Sequence, residues 1–231
     1  MKDSDRMIIK LSQTASNSSP GITEKPFRCL CCIYNGKKMG VFNVTREDLL
    51  SLYKEFYVAT LYCNEQYEAM GQSGFNVDQL PEKFTYDFVP MAFYAICADD
   101  VVTPMELERA NEILQHLGVQ VDEEYGEKAK ALVKKDHFHI PATLVVFTLR
   151  AFMRIGSAEE SAREEILQQE LAFLDSVLMA YADVMSSVVE KITPQERLMM
   201  ATCLNTCRAY ISDELCVDFE LNQELTKLIG E

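Results

Sequence analysis

The sequence predicts an all-α helical bundle preceded by a small β-hairpin and a helix. Gly is scarce, with nine in 231 residues, and Trp is absent, which disfavours an all-β fold rich in tight turns. From about Phe84 onward, apolar residues recur at helical spacing. Residues 157–192 contain no Gly or Pro, and their apolar side chains follow steps of three and four. With 48% apolar residues, the chain is also able to bury a substantial core.

The N-terminal third is predicted to differ from the rest. Residues 1–26 include a Ser/Thr/Asn-rich stretch with two prolines and are predicted to be a flexible lead-in. Asn35-Gly36 lies between two β-prone runs and predicts a tight hairpin turn. Thr45 is a suitable N-cap for a helix that should end near Gly71. We therefore divide the chain into residues 1–26, a hairpin plus helix over 27–80, and an all-α domain over 81–231.

The long helix predicted over residues 157–192 carries a heptad seam. Such a seam requires a neighbour along much of the helix. The neighbour is either another helix of the same bundle or the same helix of a second copy. The intramolecular bundle is the commoner solution, and a homodimer through 157–192 stays open.

Charge is distributed unevenly along the chain. The formal net charge is −14, and residues 81–231 carry 13 basic against 27 acidic side chains. This surface repels phosphate backbones, so direct nucleic-acid binding is not expected, whereas cations or a protein partner with a basic surface are. No stretch reaches the roughly 18 apolar residues that span a bilayer. The eight cysteines form no regular framework and no signal peptide is recognisable, so we predict a cytoplasmic protein.

An acidic turn, residues 98–106, joins two predicted helices, and a similar sequence occurs again later in the chain. Thr103 is suited to be an N-cap, Pro104 fits the first helical position, and Glu106 completes a capping box. A shift of 114 residues aligns this turn with Ser212 to Glu220 and predicts a duplicated unit of helix, acidic turn and helix. The carboxylates of the two turns are Asp99, Asp100 and Glu106, and Asp213, Glu214 and Glu220.

The repeated pattern resembles that of the tellurite-resistance TerB-like domains, in which Ala-Asp-Gly-x-Val-Ser/Thr-x-x-Glu joins two helices and occurs twice. The resemblance covers about residues 84–230. It implies a duplicated all-α bundle with both acidic turns at one end, and no known enzymatic reaction. It also implies a cytoplasmic component of a stress-response, defence or membrane-associated system that binds a divalent cation. The chain departs from the pattern at Asp100 and Glu214, where the family has Gly, and at Val217, where it has a Ser or Thr cap.

The six carboxylates of the two turns have two interpretations. Ca²⁺ prefers six to eight oxygen ligands, which two groups of three carboxylates would largely supply, so Ca²⁺ or Mg²⁺ is expected before Zn²⁺. Alternatively, acids near helix N-termini stabilise the helices without any ligand. Both interpretations stay open at this point.

Other candidate residues give weaker signals. His137 and His139 form a His-x-His without a third ligand nearby, and Cys203 and Cys207, one helical turn apart, are expected to be buried thiols. No phosphate-binding or catalytic motif is present, so an enzyme is not expected, and a metal-dependent hydrolase using the two histidines is the least favoured function. We predict a non-catalytic adaptor. The alternative is an acidic mimic of nucleic acid that inhibits a DNA-binding protein.

Overall fold

The computed structural model describes residues 45–135 and 138–230, and this part of the chain is helical, which confirms the all-α class. The hairpin predicted before Thr45 lies outside the described residues. Short 3-10 turns precede α2 and follow α3. The α-helices are α1 (Arg46–Ala69), α2 (Leu80–Ile96), α3 (Pro104–Leu114), α4 (Glu123–Lys135), α5 (Ala142–Ser157), α6 (Arg163–Val188), α7 (Pro194–Leu215) and α8 (Gln223–Ile229).

Two long apolar helices, α2 and α6, pack against each other at the centre of the bundle. The helix that follows each of them packs on the other: α3 lies on α6, and α7 lies on α2. On another side, α1 packs against α5, and α5 in turn contacts α2, α6 and α7. The α2–α3 and α6–α7 pairs therefore have equivalent places in the fold.

Helix α1 begins where the sequence predicts. The Thr45 hydroxyl accepts a hydrogen bond from the Asp48 amide at 3.2 Å, and the Asp48 carboxylate accepts one from the Thr45 amide at 3.0 Å. This capping box satisfies two amides that the first helical turn would otherwise leave unpaired. The helix ends at Ala69, and Gly71 follows with a φ of +69°.

The predicted helix over 157–192 is shorter than expected, because α5 ends at Ser157 and α6 extends from Arg163 to Val188. The central seam residues Leu174, Leu178, Tyr181 and Met185 are fully buried within the chain. Their neighbours are helices of the same bundle, as the intramolecular alternative predicted. This buried part of the seam therefore offers no surface for the homodimer through 157–192.

Among the described residues, α6 alone is long and apolar enough to cross a membrane, judged by length and composition. Of its most apolar stretch, 67% is buried inside the fold. A buried core helix meets the same criteria, so α6 is no clear transmembrane segment.

A buried carboxylate joins the central helices. Helix α5 follows Pro141, which makes no side-chain capping bond. Asp87 of α2 takes this role: its Oδ1 accepts from the Ala142 amide at 2.8 Å and its Oδ2 from the Thr143 amide at 2.7 Å. The Thr143 hydroxyl lies 2.5 Å from the buried hydroxyl of Tyr181 on α6. One polar network therefore connects α2, α5 and α6.

A second buried network joins α5 to α6. The Glu170 side chain is 1% exposed and lies between two arginines. Arg150 Nη2 donates to Glu170 Oε2 at 2.7 Å, and Arg154 Nη1 donates to Glu170 Oε1. The Arg150 guanidinium also stacks 4.2 Å from the centre of the Phe173 ring. The carboxylate is thus fully paired although it lies in the core.

Asp87 should make the stability of the protein depend on pH. Burial raises the pKa of Asp87 to about 6, against the lowering effect of the Thr143 and Ala142 hydrogen bonds. Between about pH 4 and pH 6 the folded chain retains a proton that the unfolded chain has lost, so stability falls as pH rises through this range. Relative to Asp87→Asn, the wild-type free energy of unfolding should therefore fall by about 2 kcal/mol from pH 4 to pH 7.

Urea denaturation of both proteins at several pH values measures the wild-type free energy of unfolding minus that of Asp87→Asn. The effects of carboxylates present in both proteins largely cancel in this difference. A value that stays constant, or that rises with pH, would contradict the raised pKa of Asp87.

Removing the charge of Glu170 should destabilise the fold strongly. Glu170→Gln leaves Arg150 in the core without its carboxylate, and breaking a buried ion pair in this way costs about 3–5 kcal/mol. Lys128→Met is the control, since it breaks an exposed pair with Glu124, which contributes less than about 1 kcal/mol. Urea denaturation midpoints measure both effects, and equal losses would show that the buried pair contributes no more than the surface pair.

Candidate functional site

The first predicted acidic turn lies between α2 and α3 and has the predicted capping box. The Thr103 hydroxyl accepts from the Glu106 amide at 3.2 Å, and Glu106 Oε2 accepts from the Thr103 amide at 2.8 Å. Glu106 is only 5% exposed. Asp99 Oδ1 accepts from the Val101 amide at 3.0 Å, and Asp100 follows the helix with a φ of +67°. An Asp tolerates this left-handed conformation better than most residues, which accounts for its presence where the resemblance expects Gly.

The second predicted acidic turn is not a counterpart of the first, and this alignment was wrong. Asp213 and Glu214 are exposed residues inside the last turn of α7, which ends only at Leu215. Glu220 is an exposed loop residue, because α8 begins at Gln223 and not after Val217.

The physical reason lies in the residues available for capping. Val217 has no side-chain oxygen to accept a hydrogen bond from a helix amide. Asn222 does: its Oδ1 accepts from the Glu224 amide at 2.9 Å and the Leu225 amide at 3.0 Å. The helix therefore starts five residues later than the alignment required.

The structural counterpart of the first turn lies ninety residues later, at the start of α7. Thr193 accepts from the Glu196 amide at 3.2 Å, and Glu196 Oε2 accepts from the Thr193 amide at 2.6 Å. The burial classes of residues 101–110 and 191–200 agree position by position. The alignment of the two acidic turns missed this correspondence. The signal is Thr-Pro-x-Glu, which occurs at both places.

The two capped turns lie at the same end of the bundle. The Arg109 guanidinium on α3 donates to the carbonyl of Val189, which precedes the second turn. Burial raises the pKa of Glu196, and the charges of Glu106 and Asp99 raise it further, while hydrogen bonds from Thr193 oppose the shift. The three carboxylates are thus close enough to influence one another.

We call this region the acidic end and define it by Asp99, Asp100, Glu106 and Glu196 with the apolar Val101 and Met105. Glu106 and Glu196 are buried, Asp99 is half-buried, and Asp100 is exposed. Val101 is 59% exposed and Met105 44% exposed. The outer surface of this end therefore combines negative charge with apolar side chains.

The acidic end is poorly suited to hold a metal ion. Glu106 and Glu196 each use a carboxylate oxygen to cap their own helix, and Asp99 accepts from a backbone amide. Within residues 45–135 and 138–230, no group of three or more His, Cys, Asp or Glu side chains is arranged to bind a metal. The six carboxylates predicted from the sequence therefore form no such group in this part of the chain.

The remaining sequence candidates are dispersed. His139 is exposed before α5, and His137 lies outside the described residues. Cys203 and Cys207 are buried free thiols on α7, as predicted. Burial raises the pKa of Cys203 to about 12 and that of Cys207 still higher, so both are protonated at neutral pH. A protonated buried thiol is neither a good nucleophile nor a metal ligand.

Comparison with known proteins adds no relative to these observations. No protein-family model matches the chain, and no match was found among curated proteins or solved structures.

Proposed function

We propose that the chain is a non-catalytic interaction module of TerB-like type, which binds a protein partner with a basic surface through the acidic end. The observation that carries this proposal is the convergence of the two capped turns, which the hydrogen bond from the Arg109 guanidinium to the Val189 carbonyl holds at one end of the bundle. The TerB-like resemblance suggests work as an adaptor in a cytoplasmic stress-response, defence or membrane-associated complex.

The chemistry of the acidic end favours a basic segment that also has apolar side chains. Asp100 supplies exposed charge, and Val101 and Met105 supply exposed apolar surface beside it. Charged rims direct partners towards a surface, and apolar contacts at its centre supply most of the affinity. The overall excess of acid in residues 81–231 adds a long-range attraction for the same kind of partner.

The capping boxes explain how this surface is held in place. Glu106 holds the first turn of α3, which carries Met105 and directly follows the turn that contains Asp100 and Val101. Glu196 holds the first turn of α7 in the same way. Because the surface adjoins a capped helix start, it is preorganised and loses little conformational entropy on binding.

Substitutions that neutralise the exposed surface of the acidic end should abolish partner binding and leave the backbone of the acidic end unchanged. The test variant combines Asp99→Asn, Asp100→Asn and Met105→Ser. Asn retains an acceptor for the Val101 amide and tolerates the left-handed conformation of residue 100. The control, Glu123→Gln with Glu124→Gln, removes two charges from the exposed start of α4.

Affinity capture from the native host, quantified by mass spectrometry, compares the three proteins. We expect proteins with basic surfaces to be captured by the wild type and the control but lost from the test variant. Raising the salt concentration should weaken capture, because the Debye length falls below about 10 Å above 0.1 M salt. Equal capture by both variants would refute the acidic end as the binding surface. Displacement of the partner by duplex DNA would favour the nucleic-acid mimic.

Cation binding by Asp99, Asp100, Glu106, Asp213, Glu214 and Glu220 stays a separate prediction, tested by calorimetric titration with Ca²⁺, Mg²⁺ and Zn²⁺. The absence of saturable binding of these ions below millimolar concentration would refute this prediction. Saturable binding that disappears in the Asp99→Asn, Asp213→Asn double variant would instead establish a cation site at these turns.

A further inference from the structure

Helix α1 has an apolar outer face that no described helix covers. Its inner face buries Leu52, Phe56 and Cys63 against the core. At 100° per residue, Val58 and Leu61 lie on the opposite side, and they are 44% and 38% exposed. The principal neighbours of α1 are α5 and the 3-10 turn Val77–Gln79.

The same helix carries an excess of negative charge. The helix contains two basic residues, Arg46 and Lys54, and five acidic ones, so the formal charge of α1 is −3. Glu65 and Glu68 are exposed and follow Leu61 by one and two helical turns. The outer face of α1 is defined here by Lys54, Val58, Leu61, Glu65 and Glu68. It combines an apolar centre with two carboxylates at its C-terminal end.

The chain contains a segment with the complementary chemistry directly before α1. Residues 27–44 include three basic residues and no acidic one, which gives a formal charge of +3. Eleven of these eighteen residues are apolar. A segment of this composition tends to remove its apolar side chains from water, and its charge is attracted to α1.

Residues 27–44 are long enough to reach the outer face of α1 from the start of that helix. Residue 44 precedes Thr45, the N-cap of α1. Leu61 lies sixteen residues after the cap, or about 24 Å along the helix axis. Eighteen residues span up to about 59 Å when extended, and a hairpin half as long spans about 30 Å. Either arrangement reaches Leu61 from the start of the helix.

We propose that residues 27–44 of the same chain bind the outer face of α1, with their apolar side chains on Val58 and Leu61 and with Lys37 and Lys38 beside Glu65 and Glu68. The interaction is intramolecular and does not depend on the acidic end. The effective concentration of a directly tethered segment is high, so a modest contact area is sufficient.

Hydrogen–deuterium exchange of the full chain tests the proposal. Bound residues 27–44 should exchange at least about tenfold more slowly in the wild type than in Leu61→Asp, which places a charge at the centre of the face. Leu198→Asp is the matched control, because Leu198 is 69% exposed on α7. It should leave exchange of residues 27–44 unchanged.

Several outcomes would overturn the proposal. Exchange of residues 27–44 in the wild type at the rate of an unprotected chain would exclude binding. Protection that persists in Leu61→Asp, or is lost equally in Leu198→Asp, would place the segment elsewhere. Protection lost on about a hundredfold dilution would show that a second copy covers the face.

A second measurement requires no substitution. Carbodiimide joins a lysine to a carboxylate only when they are in contact, so Lys37 or Lys38 should be linked to Glu65 or Glu68 in the monomer. Links from these lysines to other carboxylates only, or links confined to dimers, would contradict the intramolecular contact.

Discussion

The described bundle depends on the carboxylate of Asp87, which caps a helix to which it does not belong. Pro141 makes no side-chain capping bond at the start of α5, so two amides at the buried end of this helix require an acceptor from elsewhere. Asp87 provides it from the middle of α2, and Thr143 connects the same network to Tyr181 on α6. A buried helix terminus without such partners would be costly, so this arrangement determines how α2, α5 and α6 meet.

The position of the acidic end follows from the packing of α2 against α6. Because each of these helices is followed by a capped turn, their packing brings the starts of α3 and α7 together. The carboxylates of Glu106 and Glu196, which cap these two helices, then lie near each other and near Asp99. The charges of Glu106 and Asp99 raise the pKa of Glu196 beyond the effect of burial. This proximity of like charges opposes folding slightly, and the exposed Asp100 beside it carries the negative charge that the proposed partner would neutralise.

The TerB-like resemblance implies two acidic turns at one end of a duplicated bundle. The structure does contain two equivalent turns at one end, but they lead into the helix caps at Thr103 and Thr193. Asp213 and Glu214 belong to the last turn of α7, and Glu220 precedes the true cap of α8 at Asn222. An alignment based on acidic residues and flanking apolar positions selected the wrong partner, because both patterns are common at helix ends, whereas a Thr-Pro-x-Glu cap has a specific geometry.

Local patterns in the sequence were sufficient for the helical class, the caps at Thr45 and Thr103, and the burial of the seam on α6. These features depend on neighbouring residues, since caps act within one turn and helical faces repeat every three or four residues. Only the tertiary structure decided that Asp87 caps α5 and that Glu170 joins two arginines. It also decided that Glu196 lies near Asp99. These contacts join residues that are distant in sequence, and no local pattern carries the information about which helices pack together.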